Sequence, residues 1–118
     1  MAAEEEDLQS LIRANAETER RLVQQHERIV AASESSNADD EHDPEGSTIA
    51  FERQQALALL DQVRRTGEAL RQAAADLQSG RYGRCERCGG DIDPERLAVR
   101  PQARTCISCA REAGRRRP

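Results

Sequence analysis

From Ala56 onward, small or apolar residues recur at Ala56, Leu60, Val63, Gly67, Leu70, Ala74 and Leu77, stepping by four and three positions without a break. That alternation marks a heptad-patterned helix, in which one narrow stripe faces a partner helix and the other positions stay polar. An earlier segment carries the same period at Leu8, Ile12, Asn15, Glu19, Leu22, His26 and Ile29, where three of the seven positions are polar. If the second helix folds back on the first, paired residue numbers add to a constant. Leu8 with Leu77, Asn15 with Leu70, Leu22 with Val63 and Ile29 with Ala56 all add to 85. The turn then falls near His42 and Asp43, inside a run of breakers and caps from Asn37 to Gly46. Asp43 and Pro44 read as an N-cap and first-turn pair, with Glu45 suited to the positive end of the second helix; Ser47 or Thr48 is the alternative cap. Asn15, Glu19 and His26 are read first as polar seam residues that set register, and only second as partner contacts.

The second helix is expected to end near Gly80, and a cysteine pattern starts at once: Cys85-x2-Cys88, 17 residues, then Cys106-x2-Cys109. This spacing matches tetrahedral zinc sites, in which each two-residue knuckle turns a pair of thiolates toward one ion. Four sulfurs fill the coordination shell and leave no position for water or substrate, so the expected zinc is single and structural. Ile92, Leu97 and Val99 are the apolar residues expected to pack between the knuckles. Two disulfides are the competing reading, and thiol redox sensing layered on the metal stays open. The pattern as a whole predicts a mainly α protein. Residues 1–80 form an antiparallel coiled-coil hairpin with an acidic tip near 39–46, and residues 81–118 form a four-cysteine finger with a short C-terminal helix and a basic tail.

Composition agrees with a thin seam rather than a broad core: 36% of the 118 residues are hydrophobic, 2% are aromatic and 34% are charged. Residues 1–48 hold 13 acidic and 4 basic side chains, whereas residues 81–118 hold 5 and 10. All the basic residues are arginine. No stretch approaches the roughly 18 apolar residues of a membrane span, and the acidic start Met1 to Asp7 is unlike a signal peptide, so a cytoplasmic protein is expected. With no open metal position, no glycine-rich phosphate loop and no nucleophile paired with a base, an enzyme is the least supported class.

The run Tyr82-Gly83-x-Cys85-x-x-Cys88-Gly89-x-x-Ile92-x-x-x-Arg96-Leu97-x-x-x-Pro101-x-x-x-x-Cys106-x-x-Cys109 resembles the finger of the bacterial TraR/DksA-type C4 zinc-finger regulators. The preceding hairpin is similar in placement to that family's coiled coil. The resemblance implies a partner, RNA polymerase, whose secondary channel receives the coiled-coil tip so that acidic residues approach the catalytic centre and alter initiation. The family's tip pattern is Asp-x-x-Asp-x-Ala, and the nearest match runs from Asp40 through Asp43 to Glu45, which stands where the family has alanine. Asp39, Asp40, Asp43 and Glu45 are therefore the expected polymerase-facing tip. The resemblance leaves room for ppGpp as an effector, but no quoted residue supports it.

Two other classes compete. Ten arginines in residues 81–118 suggest direct nucleic-acid binding, opposed by five acidic residues and by a zinc–thiolate centre that is itself negative. A protein-docking scaffold without channel activity is the other. A monomer without membrane contact is the expected state.

Overall fold

The computed structural model describes residues 2–36 and 44–116, with side chains described for 3–34 and 48–115. Four helices follow in order: α1 (Ala2–Ser36), α2 (Pro44–Gln78), α3 (Pro94–Val99) and α4 (Ile107–Arg116). Among the described residues, the one isolated β-pairing is an antiparallel bridge between Arg84 and Asp91. The architecture is mainly α, an antiparallel helical hairpin followed by a four-cysteine finger, as the heptad and cysteine spacings predict.

Glu4 and Glu5 occupy the first turn of α1, where carboxylates oppose the positive end of the helix dipole. α1 continues through Ser33 to Ser36. Pro44 opens α2, the position where a missing N–H costs nothing and a fixed φ suits the first turn. Asp43, its expected cap, lies outside the described residues.

The chain divides into two compact units. One contains Met1–Arg13 and Thr66–Pro118. Its core is Leu8 with Leu70, Ala73 and Leu77, against which Ile12 and Tyr82 pack. Leu8 is 1% exposed, and burial of a leucine side chain contributes about 1.5–3 kcal/mol. Gly67 is also buried, in keeping with a seam position that admits close approach.

The other unit is Ala14–Arg65. Ala56 and Leu60 are buried in it, while Leu22, His26, Ile29 and Val63 are half-buried. Asn15 Nδ2 donates to the Val63 carbonyl at 3.2 Å, a polar bond that joins α1 to α2. Arg64 Nε donates to Glu19 Oε1 at 3.0 Å, and both side chains are exposed enough that the pair contributes at most about 1 kcal/mol. Arg20 with Glu17 and Arg65 with Asp61 add ion pairs on the exposed faces. Among the described residues, His26 Nε2 is buried without a hydrogen-bond partner.

Two details differ from the sequence expectation. Ala73 is buried at 3% exposure whereas the predicted seam residue Ala74 is only half-buried. On a straight helix Ala73 and Ala74 stand about 50° to either side of the direction shared by Leu70 and Leu77, so the period alone does not choose between them. Asn15, predicted opposite Leu70, bonds instead to the carbonyl of Val63.

The dependence on Leu8 is testable by urea denaturation of the full chain. Leu8→Ala is expected to cost about 2–5 kcal/mol. Leu11→Ala, at a position already 39% exposed, is expected to change stability by about 0.5 kcal/mol. Equal effects would mean that the buried cluster does not hold this unit.

Candidate metal centre

α2 ends in a left-handed glycine that hands the chain to the finger. Gly80 has φ 77°. Its N–H reaches the Leu77 carbonyl at 3.3 Å and the Arg81 N–H reaches Asp76 at 2.8 Å, the paired bonds of a Schellman cap. Beyond it, Ile92 N–H donates to the Gly83 carbonyl at 2.7 Å and Cys85 N–H to Gly90 at 2.7 Å, which folds the first knuckle into a short loop. Gly89, at φ 74°, takes the conformation that a side chain would strain, and its N–H donates to the Cys85 carbonyl at 3.0 Å.

The second knuckle starts α4. The Ala110 N–H donates to the Cys106 carbonyl at 3.0 Å, so Cys106 and Cys109 lie one helical turn apart. The stretch between the knuckles is held by α3, whose cap Asp93 accepts the Glu95 N–H at 2.9 Å ahead of Pro94 at the first position. Arg96 Nε donates to the Thr105 carbonyl at 3.0 Å, and the Tyr82 hydroxyl donates to Pro101 at 3.0 Å. Glu86 and Arg104 join the two knuckles twice. The Glu86 N–H donates to the Arg104 carbonyl at 2.9 Å, and the side chains pair at 3.0 Å.

The result brings all four predicted ligands together. The Sγ atoms of Cys85, Cys88, Cys106 and Cys109 lie within 4.8 Å of one another, with Cys88 and Cys106 at 3.9 Å. A tetrahedron with zinc–sulfur bonds of about 2.3 Å has sulfur–sulfur edges near 3.8 Å, so the cradle fits one zinc ion. Backbone amides of Gly90 and Cys109 point at the Cys88 and Cys106 sulfurs at 3.4 and 3.5 Å, an arrangement that favours thiolates.

Charge within the cluster is strained without a cation. Amide hydrogen bonds, first from Cys88 and then from Cys106, draw the Cys85 thiol down to about 6. Hydrogen bonds with the Cys106 and Cys85 sulfurs push Cys109 up to about 12. Four thiols at this separation cannot all ionise beside one another, and a divalent cation removes the repulsion. Zinc supplies a fourfold cross-link here, with every position taken by protein.

Not every expectation from sequence falls into place. Ile92 is buried at 3% and Leu97 is half-buried, but Val99 is 82% exposed and takes no part in the finger's core. Leu97 and Val99 both lie in the six-residue α3, where a two-residue step turns a side chain through about 200°, so the two cannot face the same way. The Glu86–Arg104 link was not anticipated, since nothing in the spacing marks it. Of the expected tip, Asp39, Asp40 and Asp43 lie outside the described residues; Glu45 falls in the first turn of α2, with its side chain outside them.

Two measurements probe this centre. Purified protein is expected to hold one zinc per chain, and Cys106→Ser is expected to lose it together with the fold of the finger, because structural zinc contributes on the order of 10 kcal/mol. Full zinc retention in that variant would exclude the four-sulfur shell. Tyr82 is the single tyrosine in the chain, so its absorbance on ionisation is unambiguous. Burial first, and the Glu4 carboxylate second, push its phenol above the ordinary value of 10.0. Its midpoint is therefore expected above 10, and the stability that this shift reflects is present below the unfolded value and lost as the pH rises through the folded one. A midpoint at the ordinary value would show Tyr82 exposed.

Comparison with known proteins places the centre. Residues 80–113 match the prokaryotic dksA/traR C4-type zinc finger. An uncharacterized protein of Aquifex aeolicus is 44% identical over 43 residues, which is 36% of this chain and 30% of that protein, so the shared part is under a third of that relative's length. The structure of transcription factor DksA2 from Pseudomonas aeruginosa has a similar fold, with a TM-score of 0.60 over 97% of this chain and 85% of that one at 22% identity. Residues 80–113 are therefore a finger of the dksA/traR C4 type, set on a hairpin whose fold is like that of DksA2.

Proposed function

We propose that the chain is a DksA-type transcription factor that binds RNA polymerase and inserts the tip of its hairpin into the secondary channel to modulate initiation. The observation that carries this reading is the pairing of a C4 finger of this family, residues 80–113, with an antiparallel hairpin whose fold is like that of DksA2. In this reading residues 1–80 are the probe and residues 81–118 its base. The tip is Asp39, Asp40, Asp43 and Glu45, carboxylates suited to a basic or metal-containing channel.

The finger's role is structural. Its zinc has no open position, so the protein acts by binding rather than by chemistry on a substrate. No helix of the described residues is long and apolar enough to cross a membrane, which accords with action on a cytoplasmic polymerase. The working species is a monomer.

The test is a titration of labelled protein into RNA polymerase from the same organism, with and without excess of a known secondary-channel factor. Saturable binding displaced by that factor is expected. Asp40→Ala and Asp43→Ala are expected to keep most of the affinity while losing the effect on promoter complexes. Absence of binding at micromolar polymerase would remove the reading.

A further inference from the structure

Within the unit of Met1–Arg13 and Thr66–Pro118 lies an open groove of about 470 Å³. Buried Leu8 and Leu77 back it, Tyr82 and Leu97 line it, and the carboxylates of Glu4 and Asp7 stand at it. Glu4 is near enough to raise the Tyr82 phenol. Pro94, Pro101 and the exposed Ala98 complete an apolar wall. Exposed apolar surface gathered in one concave patch, rather than scattered singly, marks a place for a partner.

We propose that this groove is a second polymerase-binding surface, which receives a basic segment of RNA polymerase carrying an aliphatic side chain next to arginine or lysine. The proposal rests on the polymerase reading above. The occupant follows from the lining: aliphatic and aromatic walls take an apolar anchor, and two exposed carboxylates select a cation beside it. An acidic or nucleic-acid partner is disfavoured by the same carboxylates, since like charges brought together oppose docking. The volume falls in the range of about 300–1,000 Å³ that holds a compact ligand or a few side chains.

Three variants of the full chain test it in the same polymerase titration: Glu4→Gln with Asp7→Asn, Ala98→Asp, and Asp40→Ala with Asp43→Ala as the tip control. Glu4, Asp7 and Ala98 are exposed, so zinc content and thermal unfolding are expected to match the parent chain. Each groove variant is expected to bind polymerase about tenfold more weakly. The carboxylate pair should also flatten the salt dependence, which a merely structural defect would not do. A photo-crosslinking side chain at position 98 should capture a polymerase segment containing arginine or lysine. Unchanged affinity in both groove variants, or capture of an acidic segment, overturns the groove while leaving the channel reading intact. Binding that is lost in groove variants but never displaced by the channel factor supports the groove and removes the channel. No polymerase binding by the parent chain removes both.

Discussion

Between Gly80 and Ala113 the buried hydrophobic positions among the described residues are Cys85 and Ile92, one of which is itself a metal ligand. A segment of that length orders at a cost of about 1–2 kcal/mol per residue for the backbone alone, far beyond what one isoleucine offsets. The metal–thiolate bonds therefore have to hold it. Every other feature of the finger then reads as preparation of the four sulfurs: the left-handed turn at Gly89, the amides aimed at Cys88 and Cys106, and the double link from Glu86 to Arg104.

The hairpin meets the opposite problem, too much length for its apolar content. A seam of alanine, glycine and scattered leucine buries little per turn, so specificity is carried by a few directed contacts. Asn15 donating to Val63 is one of them. A slip of the helices would leave that amide without its acceptor, so the bond opposes alternative registers at some cost in stability. His26 shows the other side of the same design, a ring nitrogen buried in the seam with no partner among the described residues.

These differences explain what was legible in the chain. Heptad spacing and knuckle spacing are local properties, so the seven expected seam positions of α1 are all buried or half-buried and all four ligands converge. Axial offset is not local. Whether Asn15 meets Leu70 or Val63 depends on how two helices slide against each other, which a count of residue numbers fixes only to within a turn or two. Val99 failed for a different reason: hydrophobicity was read without a helical phase, and α3 turns it away from Leu97. The tip carboxylates rest on a motif alone, with their side chains outside the described residues, and Glu45 is where the sequence departs from that motif.

The arginines of the finger show how composition can mislead about partners. Ten basic against five acidic residues in positions 81–118 suggest a surface for phosphates. A zinc held by four thiolates carries about two negative charges, and part of the basic excess lies close to them. Arg81, Arg84 and Arg104 line one cleft together with Cys85, Asp76 and Glu86. Within it, Arg104 is paired with Glu86 and Arg81 donates to Ser79. Arg96, elsewhere in the finger, is taken up by the Thr105 carbonyl. Guanidinium groups that neutralise a thiolate centre and tie its knuckles are less free to meet a nucleic-acid backbone. The outward basic charge is accordingly smaller than the count implies.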